Sequence, residues 1–209
     1  MLATLRLLMI ILVRHGQTDL NVARVVQPAD TPLSKRGMEQ AERVGTRLAE
    51  RGVKRVLSSD FPRARMTADA VVEATGARLE LLDLLQERNF GRLRGRAYAE
   101  VGQDIFAPDY APPGGETWAE FDARVAEAWA RVRAHAALAA SDLVVVTHGL
   151  VCRSIARQFL QLPAGIGVPE RWGNTSVTIC DVNPPHAVSV LNCVAHLDGG
   201  DGSTAPSGI

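Results

Sequence analysis

Hydrophobic positions along the chain follow two patterns, short continuous runs and runs with helical spacing. Short continuous apolar runs are typical of strands that are covered on both faces of a sheet. Residues 7–13 and 143–147 show this pattern most clearly and predict two buried strands. Four further strands are predicted at residues 55–58, 79–82, 175–181 and 188–194. The last two are assigned to an edge of the sheet.

Apolar residues at helical spacing predict four helices between these strands. The predicted helices are residues 34–51, residues 60–75, a long helix from about residue 117, and residues 150–160. Ser34 is a candidate cap for the first helix, and Ser59 or Asp60 for the second. Thr117 and Glu120 form a capping box that opens the third. Each helix therefore has a local start signal or a flanking strand.

Strands that alternate with helices predict a three-layer α/β/α fold with a mainly parallel central sheet. Residues 86–116 are rich in Gly, Pro and Arg and are interpreted mostly as loop. We expect residues 1–197 to form a single domain, followed by a disordered tail at 198–209. In parallel sheets ligands bind at the carboxyl ends of strands, so chemistry is expected directly after Val13, Leu57 and Val146.

The charge balance and the cysteine content indicate which binding partners and which cellular compartment to expect. Lys+Arg and Asp+Glu both count 23, so neither a nucleic-acid nor a membrane partner is expected. The 3 cysteines have no C-x-x-C spacing, which favours reduced thiols and a cytoplasmic protein. The histidines lack metal-type spacing, and we expect no metal and no cofactor. A homodimer is left open.

The apolar start of the chain resembles a signal peptide in composition. No A-x-A-like cleavage site follows it, because the apolar run leads directly into Arg14 and His15. A buried first strand is the better interpretation. Initiation at Met1 or at Met9 is left open.

Three strand ends carry residues suited to a phosphoryl group. They hold Arg14-His15-Gly16, a segment from Ser58 to Arg63, and His148-Gly149. Arginine binds phosphate oxygens through a planar fork of donors, and neutral imidazole is a nucleophile near neutral pH. A lone Arg-His-Gly would favour a structural histidine. The second histidine at a strand end, also followed by glycine, favours a phosphoryl site instead.

Six ordered segments then resemble the histidine phosphatase superfamily, also called the phosphoglycerate mutase-like family. The resemblance covers about residues 9–180. Its segments are Leu12-Val13-Arg14-His15-Gly16-Gln17-Thr18 with Asn21; Asp30-Thr31-Pro32-Leu33-Ser34 with Gly37; Ser58-Ser59-Asp60-Phe61-Pro62-Arg63-Ala64 with Thr67-Ala68; Glu87 with Phe90-Gly91 and Gly95; Gly114-Gly115-Glu116; and Val146-Thr147-His148-Gly149.

The resemblance implies a catalytic role for five residues. His15 would be the nucleophile that forms a phosphohistidine. Arg14, Arg63 and His148 would hold the phosphoryl oxygens and stabilise charge in the transition state. Glu87 would protonate the leaving oxygen and then activate water. Seen without the motif, Glu87 would be taken for a surface glutamate.

The resemblance also implies residues that bind phosphate without reacting. Asn21 and Gln27 would line the phosphate pocket, and Gly149 would let a ligand approach the backbone. Pro28 stands where many relatives have glycine, which changes the loop that carries Gln27.

Several neighbouring residues have two interpretations or a purely structural one. Arg88, Arg92, Arg94 and Arg96 either bind a second anionic group of the substrate or form the polar face of a loop. We interpret Arg65 as solvated or salt-bridged, Cys152 as a packing residue, and His186 as a surface residue.

The predicted function is hydrolysis of a small phosphorylated metabolite. A phosphoglycerate mutase is the first alternative, since Glu87-Arg88 matches the mutase pattern. Against it, Asn89-Phe90 replaces the usual basic residue and tyrosine, and the long mutase insertion is missing before Gly114. A non-catalytic module that binds phosphorylated ligands is the second alternative. It is disfavoured because all five catalytic-type residues are present.

Overall fold

A computed structural model of the chain describes residues 8–197 and contains six strands in one sheet. The strands are β1 (Met9–Arg14), β2 (Arg55–Ser58), β3 (Arg78–Leu81), β4 (Leu143–Thr147), β5 (Val177–Asp181) and β6 (Val188–Cys193). Their order across the sheet is β3-β2-β4-β1-β5-β6. β3, β2, β4 and β1 pair in parallel, whereas β5 is antiparallel to β1 and β6 is antiparallel to β5. The sheet is therefore mixed, with a parallel region that contains every strand end predicted to carry chemistry.

Residues 8–197 form five α-helices, and the four longer ones cover the sheet. The five helices are α1 (Asp19–Val22), α2 (Lys35–Ala49), α3 (Pro62–Thr75), α4 (Trp118–Ala137) and α5 (Gly149–Phe159). Short 3-10 helices at Asp83–Leu85, Gly91–Leu93 and Tyr98–Glu100 interrupt the loop between β3 and α4. This confirms residues 86–116 as mostly irregular. The four-residue helix α1 was not predicted.

Successive side chains of the central strands point to opposite faces of the sheet and enter two apolar layers. Ile11 and Val13 of β1 pack with residues of α2 and α3, including Val44 and Val71. Ile10 and Leu12 belong to the opposite layer, which includes residues of α4 and α5. A strand buried on both faces must be apolar at every position, which explains the continuous runs in the sequence. The three-layer α/β/α prediction is confirmed.

Helix caps match the sequence signals in two cases and differ in one. The Ser34 hydroxyl accepts from the Gly37 amide, and Thr117 and Glu120 form the capping box of α4. The predicted cap of α3 by Ser59 or Asp60 is wrong, because Phe61 occupies the N-cap without a side-chain hydrogen bond. Pro62 in the first turn lacks an amide hydrogen, so this helix start has one donor fewer to satisfy.

Element boundaries differ from the predictions by one or two residues at most ends. β1 begins at Met9, and residue 7 lies outside the described part of the chain, as does the tail at 198–209. The strand predicted at 188–194 ends at Cys193 and does form a sheet edge, whereas β5 lies between β1 and β6. Among residues 8–197 no helix is long and apolar enough to cross a membrane.

Candidate active site

The carboxyl ends of β1, β2 and β4 meet at one edge of the sheet. The His15 amide donates to the Thr147 carbonyl at 2.9 Å, and the Ser59 amide donates to the Val146 carbonyl at 3.0 Å. Gly16 is held tightly against the start of α2, since a Cβ at this residue would lie 2.5 Å from the Gly37 carbonyl oxygen. A side chain at Gly16 would therefore displace the backbone next to His15.

The His15 ring is buried and has a defined tautomer. Its Nδ1 lies 2.7 Å from the Gly16 carbonyl oxygen, which can only accept a hydrogen bond. Nδ1 therefore carries the proton, and the lone pair of the neutral ring is on Nε2. Burial, with the charges of Arg14 and Arg63, holds the pKa of His15 well below its ordinary value. The ring is consequently neutral at physiological pH and has the electronic form of a nucleophile.

His148 lies beside His15 and is fully buried. The two ring centroids are 5.1 Å apart, and the His148 Nε2 is 2.9 Å from the Ser59 hydroxyl oxygen. Among residues 8–197 its Nδ1 has no hydrogen-bond partner. Burial and the nearby Arg63 charge lower the pKa of His148 well below its ordinary value. His148 is thus a second neutral imidazole next to the first.

Two buried arginines converge on these histidines. The Arg14 guanidinium donates to the Trp172 carbonyl, and the Arg63 Nη1 donates to the Pro28 carbonyl at 3.1 Å. The Arg63 Nε is buried, and no acceptor for it occurs in the described residues. Burial lowers the pKa of Arg63 to about 10, so it remains charged at neutral pH. The site therefore holds buried positive charge with donor capacity left over.

Glu87 is the acidic residue of the site. Its carboxylate accepts from its neighbour's amide, Arg88 N–H, at 3.1 Å and from the Leu150 amide, in the first turn of α5, at 3.2 Å. Burial raises the pKa of Glu87 and outweighs the two amide bonds and the arginine charges, which act in the opposite direction. The Thr147 hydroxyl donates to the Leu85 carbonyl at 2.7 Å and fixes the preceding loop to the end of β4.

A cavity opens over His15, Arg14, Arg63 and Glu87, with about 470 Å³ of space including its mouth, while His148 lies outside its wall. Its charged and reactive wall contains Arg14, His15, Arg63 and Glu87, joined by Arg88, Arg94, Gln27 and Tyr98. Its apolar wall consists of Val26, Phe61, Phe90, Phe106 and Leu150. We call this the catalytic cavity. It combines an anion-binding floor with space for an organic group.

The predicted phosphate-binding residues divide into two groups. Gln27 lines the catalytic cavity, and its side-chain oxygen accepts from the Thr18 hydroxyl at 2.9 Å. Asn21 does not line it; its Oδ1 accepts from the Thr18 amide at 3.1 Å and caps α1. Gly149 lies outside the cavity wall as well, next to Arg14. Asn21 and Gly149 thus contact the framework of the site, and their ligand roles remain predictions.

Sequence reasoning missed two contributors from the irregular segment before β5. The Asn174 side-chain amide donates to the His15 carbonyl at 3.1 Å, and Trp172 supplies the carbonyl that holds Arg14. No local pattern marks either residue, because the segment has neither periodicity nor a chemical motif. Their role follows only from the antiparallel pairing of β5 with β1.

The four loop arginines have different environments. Arg88 is 1% exposed and donates to the carbonyls of Glu116, Tyr110 and Ile105, while its guanidinium lies 3.9 Å from the centre of the Trp118 ring. Arg92 and Arg96 are exposed outside the cavity. Arg94 alone among the remaining three lines it. Arg88 thus supports the surrounding loop, whereas Arg94 faces the cavity.

Other sequence interpretations have mixed outcomes. Arg65 forms an exposed ion pair with Asp69, and Cys152 is 1% exposed, as expected for a salt-bridged and a packing residue. The surface assignment of His186 is wrong: the ring is 5% exposed and packs edge-on against Trp129. Within residues 8–197, no three His, Cys, Asp or Glu side chains form a group that could hold a metal ion.

Comparison with known proteins adds a family to this geometry. The family model described as histidine phosphatase superfamily (branch 1) matches residues 10–193. A protein of Salmonella paratyphi B named "Probable phosphoglycerate mutase GpmB" is 29% identical over 215 residues, which cover 92% of this chain and 96% of that protein.

Two solved structures bear phosphatase names. The mycobacterial glucosyl-3-phosphoglycerate phosphatase in complex with VO3 has a TM-score of 0.71 and 29% identity, covering 83% of this chain and 90% of its own. The alpha-ribazole phosphatase of Shigella flexneri has a TM-score of 0.75 and 26% identity, covering 90% of this chain and 97% of its own.

Proposed function

The chain belongs to the histidine phosphatase superfamily, and from that premise we propose that it is a phosphomonoesterase acting on small phosphorylated metabolites. One observation carries the proposal. His15 is a neutral imidazole whose Nδ1–H donates to the Gly16 carbonyl, and it lines a cavity with Arg14, Arg63 and the carboxyl group of Glu87, whose pKa is raised. That set supplies a nucleophile, charge stabilisation and a proton donor.

The first step transfers the phosphoryl group to the enzyme. The Nε2 lone pair of His15 attacks phosphorus, and the bond between phosphorus and the ester oxygen breaks. Glu87, protonated because burial raises its pKa, donates its proton to the leaving oxygen. The products of this step are the free alcohol, a phosphohistidine and an ionised Glu87.

The second step returns the enzyme to its starting form. Ionised Glu87 takes a proton from water, whose oxygen attacks phosphorus while the bond to His15 breaks. Inorganic phosphate leaves, and both His15 and Glu87 recover their original protonation states. Splitting hydrolysis into these two displacements lowers the barrier of each.

Arg14, Arg63 and His148 act on the transferring phosphoryl oxygens. Phosphoryl transfer depends mainly on positioned charge and donors, and the two arginines supply both. The orphan Nε of Arg63 is a donor available to an oxyanion. The Nδ1 of neutral His148 likewise lacks a partner in the described residues and is available for a hydrogen bond to a phosphoryl oxygen.

Phosphoglycerate mutase activity is the second candidate, and the name of the Salmonella relative favours it. The phosphatase names among the similar structures favour hydrolysis instead. Incubation with 3-phosphoglycerate distinguishes the two activities. We expect release of inorganic phosphate without a bisphosphoglycerate primer. Primer-dependent isomer exchange with little phosphate release would reverse the ranking.

Trapping of the covalent intermediate tests the mechanism directly. Enzyme mixed with a phosphorus-labelled ester and quenched without acid should carry label on His15, and His15→Ala should lose both label and turnover. His135→Ala is the matched control, because this partly exposed histidine pairs with Glu80 away from the cavity. Hydrolysis that continues without a labelled His15 would contradict the proposal. A protein that binds phosphate esters but neither labels nor hydrolyses them would be a binding module.

A further inference from the structure

Arg94 brings a positive charge to the catalytic cavity without a protein acceptor. Its side chain lines the cavity and is half-buried. Among residues 8–197 no carboxylate or carbonyl oxygen accepts a hydrogen bond from its guanidinium. Arginine seldom remains unpaired where water access is restricted, since its charge and donors lose solvation there. An anion supplied by a ligand would satisfy it.

The cavity has more positive charge than one phosphoryl group needs. Besides Arg88, whose guanidinium is committed to backbone carbonyls, Arg14, Arg63 and Arg94 line it together with the carboxyl group of Glu87. A phosphoryl dianion offsets two of these three charges. When Glu87 is protonated, as the proposed first step requires, one positive charge is left over. Arg94 also lies near enough to Arg63 to help lower the pKa of that residue, so the two cations repel each other.

The backbone around Arg94 is anchored on both sides. Leu93 is buried, and the Gly95 amide donates to the Val26 carbonyl at 2.7 Å. The Val26 amide in turn donates to the Arg96 carbonyl at 2.9 Å. These bonds tie the loop to a segment that itself lines the cavity. The backbone that carries Arg94 is therefore anchored beside the cavity before any ligand arrives, so binding need not order the loop as well.

We propose that Arg94 binds a second anionic group, most simply a carboxylate, on the organic part of the phosphate ester. This inference rests on the proposed phosphomonoesterase function, because it concerns the substrate of that same cavity. It selects phosphate esters whose organic part carries a negative charge over esters whose organic part is uncharged. It also separates Arg94 from Arg92, which lies two residues earlier in the same loop and faces solvent.

Two nearly identical esters test the inference. 3-Phosphoglycerate carries a carboxylate where glycerol 3-phosphate carries a hydroxymethyl group. We expect wild-type kcat/KM to favour the carboxylate ester by about 10- to 100-fold, as for one charged hydrogen bond. In Arg94→Gln the ratio should fall to about one. The loss should appear in KM rather than kcat, because the carboxylate is bound equally in the ground and transition states.

Two control variants accompany this measurement. Arg92→Gln removes a charge from the same loop outside the cavity and should keep the wild-type ratio. Arg94→Lys keeps the charge without the planar fork and should keep part of the preference. The inference is wrong if the wild-type protein does not favour the carboxylate ester, or if Arg94→Gln leaves the ratio of the two kcat/KM values unchanged. Hydrolysis of both esters would still support the proposed function in either case.

Measurements of ligand binding test the role of Arg94 independently of the proposed hydrolysis. If neither ester is hydrolysed and p-nitrophenyl phosphate is left intact as well, the proposed phosphomonoesterase function is wrong, and calorimetry with the two esters then decides the role of Arg94. Tighter binding of 3-phosphoglycerate that disappears in Arg94→Gln would uphold the second anionic site. Equal binding of both esters, or a preference that survives in Arg94→Gln, would overturn it.

Discussion

Two groups of arginines lie close together in this protein and have opposite surroundings. Arg88 and Arg124, with Glu116, form what we call the buried arginine cluster under the loop between β3 and α4. Arg88 donates to three different carbonyls, and Arg124 pairs with the Glu116 carboxylate at 2.7 Å. In the catalytic cavity, Arg63 keeps an orphan Nε and Arg94 has no acceptor in residues 8–197.

All these arginines are charged, so the difference lies in how many of their N–H groups already have a protein acceptor. Many such bonds mark an arginine that supports the fold, and few mark one that can bind a ligand. A guanidinium has five donors, and a fully committed one holds loops together but offers nothing to a ligand. A guanidinium whose N–H donors lack protein acceptors can bind an anionic ligand. Substitutions in the cluster should therefore cost stability, whereas substitutions in the cavity should cost activity.

After loss of the His15 nucleophile, the largest effect is expected at Glu87, the acidic residue that lines the cavity. Glu87→Gln should slow hydrolysis of an alkyl phosphate by about 10²- to 10⁴-fold, because the amide cannot protonate the leaving oxygen. An aryl phosphate should lose less, since its leaving group needs little protonation. Steady-state kinetics with glycerol 3-phosphate and p-nitrophenyl phosphate measure the difference. Equal losses for the two esters would exclude the acid role.

A slightly smaller loss is expected at Arg63. Arg63→Gln should lower kcat/KM by about 10²- to 10³-fold, as for the loss of one preorganised donor to a developing charge. The melting temperature should not fall, because the substitution also removes a buried charge next to Arg14 and Arg94. Calorimetry measures this. A variant that unfolds as readily as one in the buried arginine cluster would break the comparison.

In the buried arginine cluster the effect should be on stability. Arg124→Met leaves the Glu116 carboxylate without its ion pair, and we expect a loss of about 2 kcal/mol in the free energy of unfolding, since both side chains are partly accessible. The double variant Arg124→Met/Glu116→Gln should regain part of the loss. Urea denaturation gives both values. Full stability in Arg124→Met would show that the ion pair contributes little.

The smallest expected effect is a shift in pH dependence. The proposed mechanism needs neutral His15, whose pKa is lowered, and protonated Glu87, whose pKa is raised. The acid limb of kcat/KM should therefore lie below the ordinary imidazole range and the alkaline limb above the ordinary carboxyl range. Arg63→Gln should move the acid limb upward, because Arg63 helps lower the His15 pKa.

Variants also assign the alkaline limb. Glu87→Gln should abolish it and leave only the titration of the substrate phosphate. An alkaline limb unchanged in Glu87→Gln would mean that another group controls it.

The elements that could be predicted from sequence are those with a repeating physical cause. β1 and β4 are apolar at every position because both faces are buried, and Ser34 and Thr117 mark helix starts through local hydrogen bonds. The meeting of His15 and His148 followed from parallel strand ends. Such signals are readable because each depends on residues near in sequence.

What could not be predicted depends on contacts distant in sequence. Nothing local distinguishes Arg88 from Arg94, since the carbonyls that saturate Arg88 come from residues 105, 110 and 116. Asn174 and Trp172 reach the site through an irregular segment. The burial of His186 against Trp129 has the same cause. Side-chain partners across the fold decided each of these positions.

The guanidinium of Arg88, which donates four hydrogen bonds, sets a rule for re-engineering this protein. Because it fastens the chain at Ile105, Tyr110 and Glu116 to one fixed point, the stretch between residues 92 and 104 is attached at both ends and exposed at several positions. Libraries that vary this stretch and retain Arg88 should alter which ligands enter the cavity, with His15 and Glu87 left in their positions.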